Sequence, residues 1–359
     1  MSTVVIYKEE NEKTFWERWR QYRDKFNVGS RYSRQNLEMF IEISKFKSLF
    51  SADKSFIYLV NNEPAACVFL PIEKNGEFLS ATRSGSYIEA PLFVNQAIAK
   101  EIFSEIDRIA AENKLAKIMF AVDVFSNNNC NYNYLQKFDY IDASILSYVI
   151  DLSGNEEDFL RNCRRGHKCD IKKILNDKNF KVFFADQKNP SWELHEEYRA
   201  LHHKCSGRVA RPKESFDLQF EKLKLGEAVL FGVSYKGKNI AFSYFEYQGD
   251  YGIYEASADD PDYSEIPLYH ILVFSAMKYL KSKGVRYLDT GQPSSPSMQI
   301  GYCPDKKQLG IALFKRGFPG DFRQNFRGVK YFSSDLLKKD MDFFVQQFDK
   351  NLTDKNHAQ

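Results

Sequence analysis

Leu309-Gly310-Ile311-Ala312-Leu313-Phe314-Lys315-Arg316-Gly317-Phe318-Pro319-Gly320 places a lysine and an arginine between glycines and phenylalanines. Cations beside an apolar floor suit a phosphate or a developing oxyanion. The same residues would also make a basic β-turn between two strands. A second concentration of cations is Lys204, Arg208, Arg211 and Lys213 around Gly207, just ahead of Pro212. Pro212 fits a first helical turn, and Arg208 and Arg211 then form an anion clamp at a helix start. The alternative is a solvated basic loop. The basic run Arg161 to Lys173 reads as the solvated face of a helix.

Acylation of an amine requires loss of a proton. Glu255 and Asp289, at strand ends, and His202 or His203 are the candidate bases. Thr290-Gly291-Gln292 follows Asp289 and could hydrogen-bond a substrate. No Ser/His/Asp or Cys/His set stands out for a covalent intermediate. Cys163, His167, Cys169, His202, His203 and Cys205 are in principle able to supply four tetrahedral zinc ligands. Cys163 and Cys169 are six residues apart and so on different helix faces, which favours buried thiols and ordinary histidines.

These residues sit on a pattern that repeats. In the first half, Phe56–Val60, a turn at Asn61–Pro64 and Ala65–Leu70 read as a hairpin, followed from Pro91 by a helix, Asn95 to Lys114, and a strand, Lys117 to Asp123. In the second, Val229–Tyr235 and Ile240–Tyr247 form the hairpin, and Pro267 leads into the helix Ile271–Lys283 and the strand Val285–Asp289. Ala65 to Pro91 and Ala241 to Pro267 both span 26 residues (91 − 65; 267 − 241), which points to duplication. The expected domains are 1–150, 151–333 carrying the site, and a C-terminal helix with a frayed tail, 334–359. Ser153 with Glu156 is the expected capping box opening the second half.

A length of 359 residues with 43% hydrophobic content is too long for one ordinary core. A net charge of +3 argues against a nucleic-acid-binding polycation. The six cysteines have no disulfide-scaffold spacing. No signal-peptide region or membrane-length apolar run is present, so a soluble cytoplasmic protein is expected.

Asp151-Leu152-Ser153, the basic helix, Gly237-Lys238-Asn239-Ile240-Ala241, Tyr254-Glu255-Ala256-Ser257, Pro267-Leu268, Gly284–Asp289 and Phe314-Lys315-Arg316-Gly317-Phe318, in this order, resemble the FemAB-like acyltransferases over about 151–321. That family includes the peptidoglycan bridge aminoacyltransferases and related acetyltransferase-domain proteins. The resemblance implies an α+β fold of two tandem GNAT-like halves, each a mixed, mostly antiparallel sheet flanked by helices. It implies transfer of an acyl or aminoacyl group to an amine of a cell-envelope building block, an amino sugar or a peptidoglycan precursor. Lys315 matches the family lysine beside the phosphate or reacting carbonyl. Tyr254, Ser257, Gln292, Phe314 and Arg316 would line the groove, with Arg208 and Arg211 on phosphate. No cofactor is expected to be tightly bound. The donor would be acyl-CoA or aminoacyl-tRNA, although 190–225 lacks room for the long helical hairpin that some tRNA-using relatives carry. The acetyltransferase pyrophosphate loop, Gln/Arg-x-x-Gly-x-Gly/Ala, is absent, as it is in FemAB-like relatives. The rival readings are a non-catalytic sugar-phosphate- or nucleotide-binding module of the same fold and an RNA-binding protein.

Overall fold

A computed structural model describes residues 2–126, 131–299 and 301–356, without the side chains of 351–356. Cys130 and residues 357–359 of the expected tail lie outside these. The chain divides into two compact units. One comprises 1–146, 295–307 and 324–359, the other 147–294 and 308–323. The second unit is thus not the continuous 151–333 that the sequence predicts. The difference arises because strand Arg327–Tyr331 pairs with Leu115–Ala121 and Ile141–Asp142 of the first unit.

The first unit holds two sheets. Thr3–Tyr7, Phe56–Val60, Glu63–Val68 and Leu92–Phe93 form one, in that order. The other runs Ile141–Asp142, Arg327–Tyr331, Leu115–Ala121, Phe78–Ala81, Pro71–Asn75, Phe50–Asp53, with Ile88–Glu89 also on Leu115–Ala121. The helix Gln96–Glu112 forms where the sequence expects it. Asn95 caps it by accepting from the Ile98 N–H, and Ile102, Ile106 and Ile109 recur along its buried face.

The second unit has one seven-stranded sheet. Its order is Phe180–Ala185, Ala228–Tyr235, Lys238–Gln248, Tyr251–Asp259, Tyr287–Asp289, Ile145–Asp151, Gly320–Asn325. Alternation along Lys238–Gln248 sends Ala241 and Phe245 to one core and Phe242 and Tyr244 to another on the opposite face. The first core packs on helix Leu268–Ser282. The second is covered by helices Trp192–Ser206 and Lys213–Leu225, two short helices as the sequence suggested. Lys222 of the latter and Glu246 of the sheet form an ion pair with both side chains 1% exposed.

Three local expectations change. The basic run Arg161–Lys173 is two helices, Glu156–Asn162 and Arg165–Asn176, broken at Cys163 and Arg164. Asn155, not Ser153, occupies the N-cap, and Ser153 instead donates its N–H to Asp151. Phe314-Lys315 ends a helix, Lys306–Lys315, so the β-turn alternative does not hold. Among the described residues, no helix is long and apolar enough to cross a membrane.

Candidate functional site

Tyr251–Asp259 and Tyr287–Asp289 are parallel neighbours in the second unit, and their pairing stops at Ile253 opposite Asp289. Beyond that point the two chains part. Ligands in α/β sheets commonly sit where parallel strands end. Gly291 takes a left-handed φ of +66°, and a Cβ there would stand 3.3 Å from the Tyr254 carbonyl oxygen. The turn therefore requires glycine both for its conformation and for its close approach.

Lys315 enters here from the end of its helix. Its side chain is 6% exposed. Nζ donates to the Gly291 carbonyl at 3.0 Å and lies 6.0 Å from the centre of the Tyr254 ring. Burial pulls the amine down to about 8, and the Asp289 carboxylate acts in the opposite direction. Asp289 is itself buried and accepts from Ser147 Oγ at 2.6 Å and from the Gly291 N–H at 2.9 Å. Thr290 turns away and donates to the Tyr148 carbonyl at 2.7 Å.

Opposite the lysine, three hydroxyls form a chain. Ser243 and Ser257 are 2.7 Å apart, and Ser257 also bonds the Tyr254 hydroxyl. Tyr254 stacks on Phe245 with ring centres 4.8 Å apart, and burial raises its phenol. Gln292 is exposed and donates to Ser294 Oγ at 3.2 Å. Arg316 is half-buried and donates Nε–H to the Ala312 carbonyl at 3.2 Å.

The fold thus brings together Lys315, Asp289, Tyr254 and Ser257, whereas the Phe314 ring packs on His167, His270 and Phe318, Arg316 bonds back to its own helix and Gln292 bonds Ser294. Glu255 does not join them. The ladder with Lys238–Gln248 slips between Tyr244 and Phe245, and Glu255 lies in that irregularity. Its charge is felt by Tyr198 and Tyr244, in the core on the other face of the sheet.

The clamp expected at Arg208 and Arg211 is not formed. Arg211 is buried, donates to the Tyr198 hydroxyl at 3.1 Å and to Gln219 Oε1 at 2.8 Å, and lies 3.9 Å over Phe216. Lys204 pairs with Asp260 and Asp262, and Lys213 with Asp217. Of these four cations, only Arg208 remains as an exposed charge without such a pairing. His202 and His203 rest on Phe216, and burial lowers both imidazoles, His202 to about 4.

His167, which the sequence offers only as a zinc ligand or an ordinary histidine, proves to support the site. It is 1% exposed, and its Nε2–H donates to the Phe314 carbonyl at 2.7 Å. Burial lowers it to about 4, so the ring is neutral. Phe314 stacks on it at 5.5 Å, Phe318 meets it edge-on at 4.8 Å, and His270 edge-on at 4.4 Å. This explains the Phe-Lys-x-Gly-Phe spacing. His167 holds the carbonyl next to Lys315, and Gly317 leaves room for the ring. A Cβ on Gly317 would fall 2.1 Å from Nε2. Gly317→Ala is therefore expected to lower stability by about 1–3 kcal/mol through overpacking, read as a lower denaturant midpoint with an unchanged slope. The signal was present in the sequence: Cys163, His167, Ile171 and Ile174 recur at helical spacing, and all four are buried.

No family model and no curated protein matches the sequence. Solved structures do match. FemX aligns with 94% of this chain and 99% of its own, at TM-score 0.60 and 13% identity. L-PGS from Bacillus licheniformis aligns over 87% of this chain and 96% of its own, at TM-score 0.55 and 13% identity. The C-terminal domain of a putative lysylphosphatidylglycerol synthetase from Agrobacterium fabrum gives 78% and 85%, at 0.51 and 14%. The expected α+β class is the one observed, and the chain shares its fold with FemX and L-PGS.

Proposed function

We propose that the second unit carries an N-acyltransferase site. It moves an acyl or aminoacyl group from an activated donor to an amine of a cell-envelope building block. The observation that carries this reading is the buried Lys315 ammonium at the end of two parallel strands. Its direct partners are a backbone carbonyl and the field of Asp289. A cation held in a dry site stabilises charge that develops on a substrate oxygen.

In this reading the amine attacks the donor carbonyl carbon, and the C=O electron pair moves onto oxygen beside Lys315. Collapse of the adduct expels the donor's thiol or ribose hydroxyl, which takes up the proton the amine loses. Asp289 steadies the lysine and the Gly291 turn. Tyr254 and Ser257 shape the groove. The edge of Tyr254–Asp259 released beyond Asp289 offers backbone groups to an extended, amide-bearing donor arm, in the manner of an added strand. The occupied cations around Arg211 remove the main support for a phosphate clamp, and with it much of the case for a non-catalytic nucleotide module. FemX and L-PGS support the envelope setting through shared fold.

The test supplies the purified protein with acyl-CoAs and aminoacyl-tRNAs against amino sugars, peptidoglycan precursors and aminated lipids. Donor-dependent amide formation is expected with at least one pair. Donor binding without transfer to any amine would overturn the reading.

A further inference from the structure

The larger sheet of the first unit has a face that the Lys315 site does not use. Along Leu115–Ala121 side chains alternate, and Lys117 and Met119 fall on one face. Their partners on the neighbouring strand are Tyr331 and Val329. The C-terminal helix Ser334–Asn356 sets Leu337, Asp340, Met341 and Phe344 over this row, at the spacing of one helical face. In a close-packed interface such apolar side chains would be fully buried. Here Leu337, Met341 and Phe344 all keep partial exposure, and helix and sheet enclose a pocket of about 410 Å³. That volume lies in the range of about 300–1,000 Å³ typical of small-molecule sites.

Most of the lining is apolar. Met119, Val329, Leu337, Met341 and Phe344 contribute to it, and the two methionines adapt to irregular shapes. Ile141 and Phe343 line it too, although both side chains are exposed. An occupant that covered them would remove apolar surface from water.

One ion pair interrupts this lining. Lys117 Nζ and Asp340 Oδ2 stand 2.6 Å apart, and the Tyr331 hydroxyl donates to the same oxygen at 2.9 Å. Among the described residues, Asp340 Oδ1 therefore has no donor and Lys117 no second acceptor. The pair presents an open acceptor beside an open donor. A hydroxyl answers both, since it donates and accepts at once. A carboxylate would answer Lys117 and face Asp340 as a like charge. An ammonium would do the reverse.

Charge around the pocket is balanced. Asp142, the second carboxylate in the lining, accepts through Oδ1 from Asn133 Nδ2 at 2.8 Å and from the Ser144 N–H at 3.1 Å. Tyr87 lines the pocket as well, and the Arg327 guanidinium lies 4.7 Å over its ring centre. Burial raises the Tyr87 phenol; Arg327 acts against that shift, and Asp142 and Asp340 act with it. Lys117 and Arg327 thus offset Asp340 and Asp142, and no net charge is left for an ion to neutralise.

We propose that this pocket binds an uncharged aliphatic alcohol, its hydroxyl between Asp340 Oδ1 and Lys117 Nζ and its chain among Met119, Val329, Met341 and Phe344. The site stands apart from the Lys315 reading and is tested without any transferase assay.

The probe is 1-octanol, titrated calorimetrically into the full chain, with octanoate and octylammonium as charged controls of the same chain length. Saturable one-to-one binding of octanol is expected. Each ion should bind at least about tenfold more weakly, because it buries a charge that the pocket does not neutralise. Met341→Trp, or Met119→Trp on the strand, should abolish octanol binding by filling the space, with the melting curve showing a folded variant. Asp340→Asn leaves Lys117 without its counter-charge, so octanoate should gain about tenfold on octanol in that variant. No saturable binding of octanol overturns the proposal. So does an ion that binds as tightly as octanol, undiminished binding to a folded tryptophan variant, or an unchanged preference in Asp340→Asn.

Discussion

Lys315→Met is expected to lower kcat by about 10²–10³ while the protein stays folded, the range seen when one oxyanion donor is removed. Methionine keeps the length of the stem and drops the charge. Asp289 retains its bonds from Ser147 and Gly291, so the turn does not lose its supports. Stability should hold or rise, because a buried ammonium is relieved of its desolvation cost. A folded variant with full turnover would end the role assigned to Lys315. The pH profile gives a second reading of the same residue. In the folded chain the amine sits near 8, against about 10.4 for an exposed lysine. Activity that needs the cation should therefore fall as pH rises through about 8. The stability sign runs the other way: between these two values the unfolded chain binds more protons, so the folded state gains with rising pH. In Lys315→Met the pH-dependence of stability in that window should flatten.

The largest expected effect on stability lies at Lys222 and Glu246. Both side chains are 1% exposed, on helix Lys213–Leu225 and strand Lys238–Gln248. Lys222→Met leaves the Glu246 carboxylate buried without its ammonium, and such single breaks cost about 3–5 kcal/mol. The double variant Lys222→Met with Glu246→Leu removes both charges and should recover most of that loss, since apolar replacements of buried pairs are often near neutral. Urea unfolding of the two single variants and the double variant measures the coupling. Additive losses would show that the pair does not act as a unit.

What the sequence made legible depended on whether the signal was local. The hairpins, the helices after Pro91 and Pro267 and the strand ending at Asp289 follow from periodicities of two and 3.6, and all are present in the structure. The Phe-Lys-x-Gly-Phe spacing and Asp289 were also readable, and they converge. Burial of charge was not readable. Arg211 looks like a phosphate ligand in a line of text, yet it is spent on Tyr198, Gln219 and Phe216. Glu255 was misplaced because one slip in the ladder turns a side chain to the other face, and periodicity alone does not reveal a slip. His167 was hidden among arginines and lysines, and only its spacing from Cys163, Ile171 and Ile174 betrayed it. The pairing of Arg327–Tyr331 with Leu115–Ala121 has no local signature, because the partners are separated by some two hundred positions.

That pairing bears on how the molecule is made. Arg327–Tyr331 lies inside its sheet, between Ile141–Asp142 and Leu115–Ala121. During synthesis, the first 146 residues emerge with this sheet divided by an empty lane and two unmatched edges. Unpaired edges recruit other strands, and non-local closure is slow. The first unit therefore waits until Arg327–Tyr331 has been made before its sheet can close. Its exposure to mispairing on the ribosome is set by the time needed to translate the second unit.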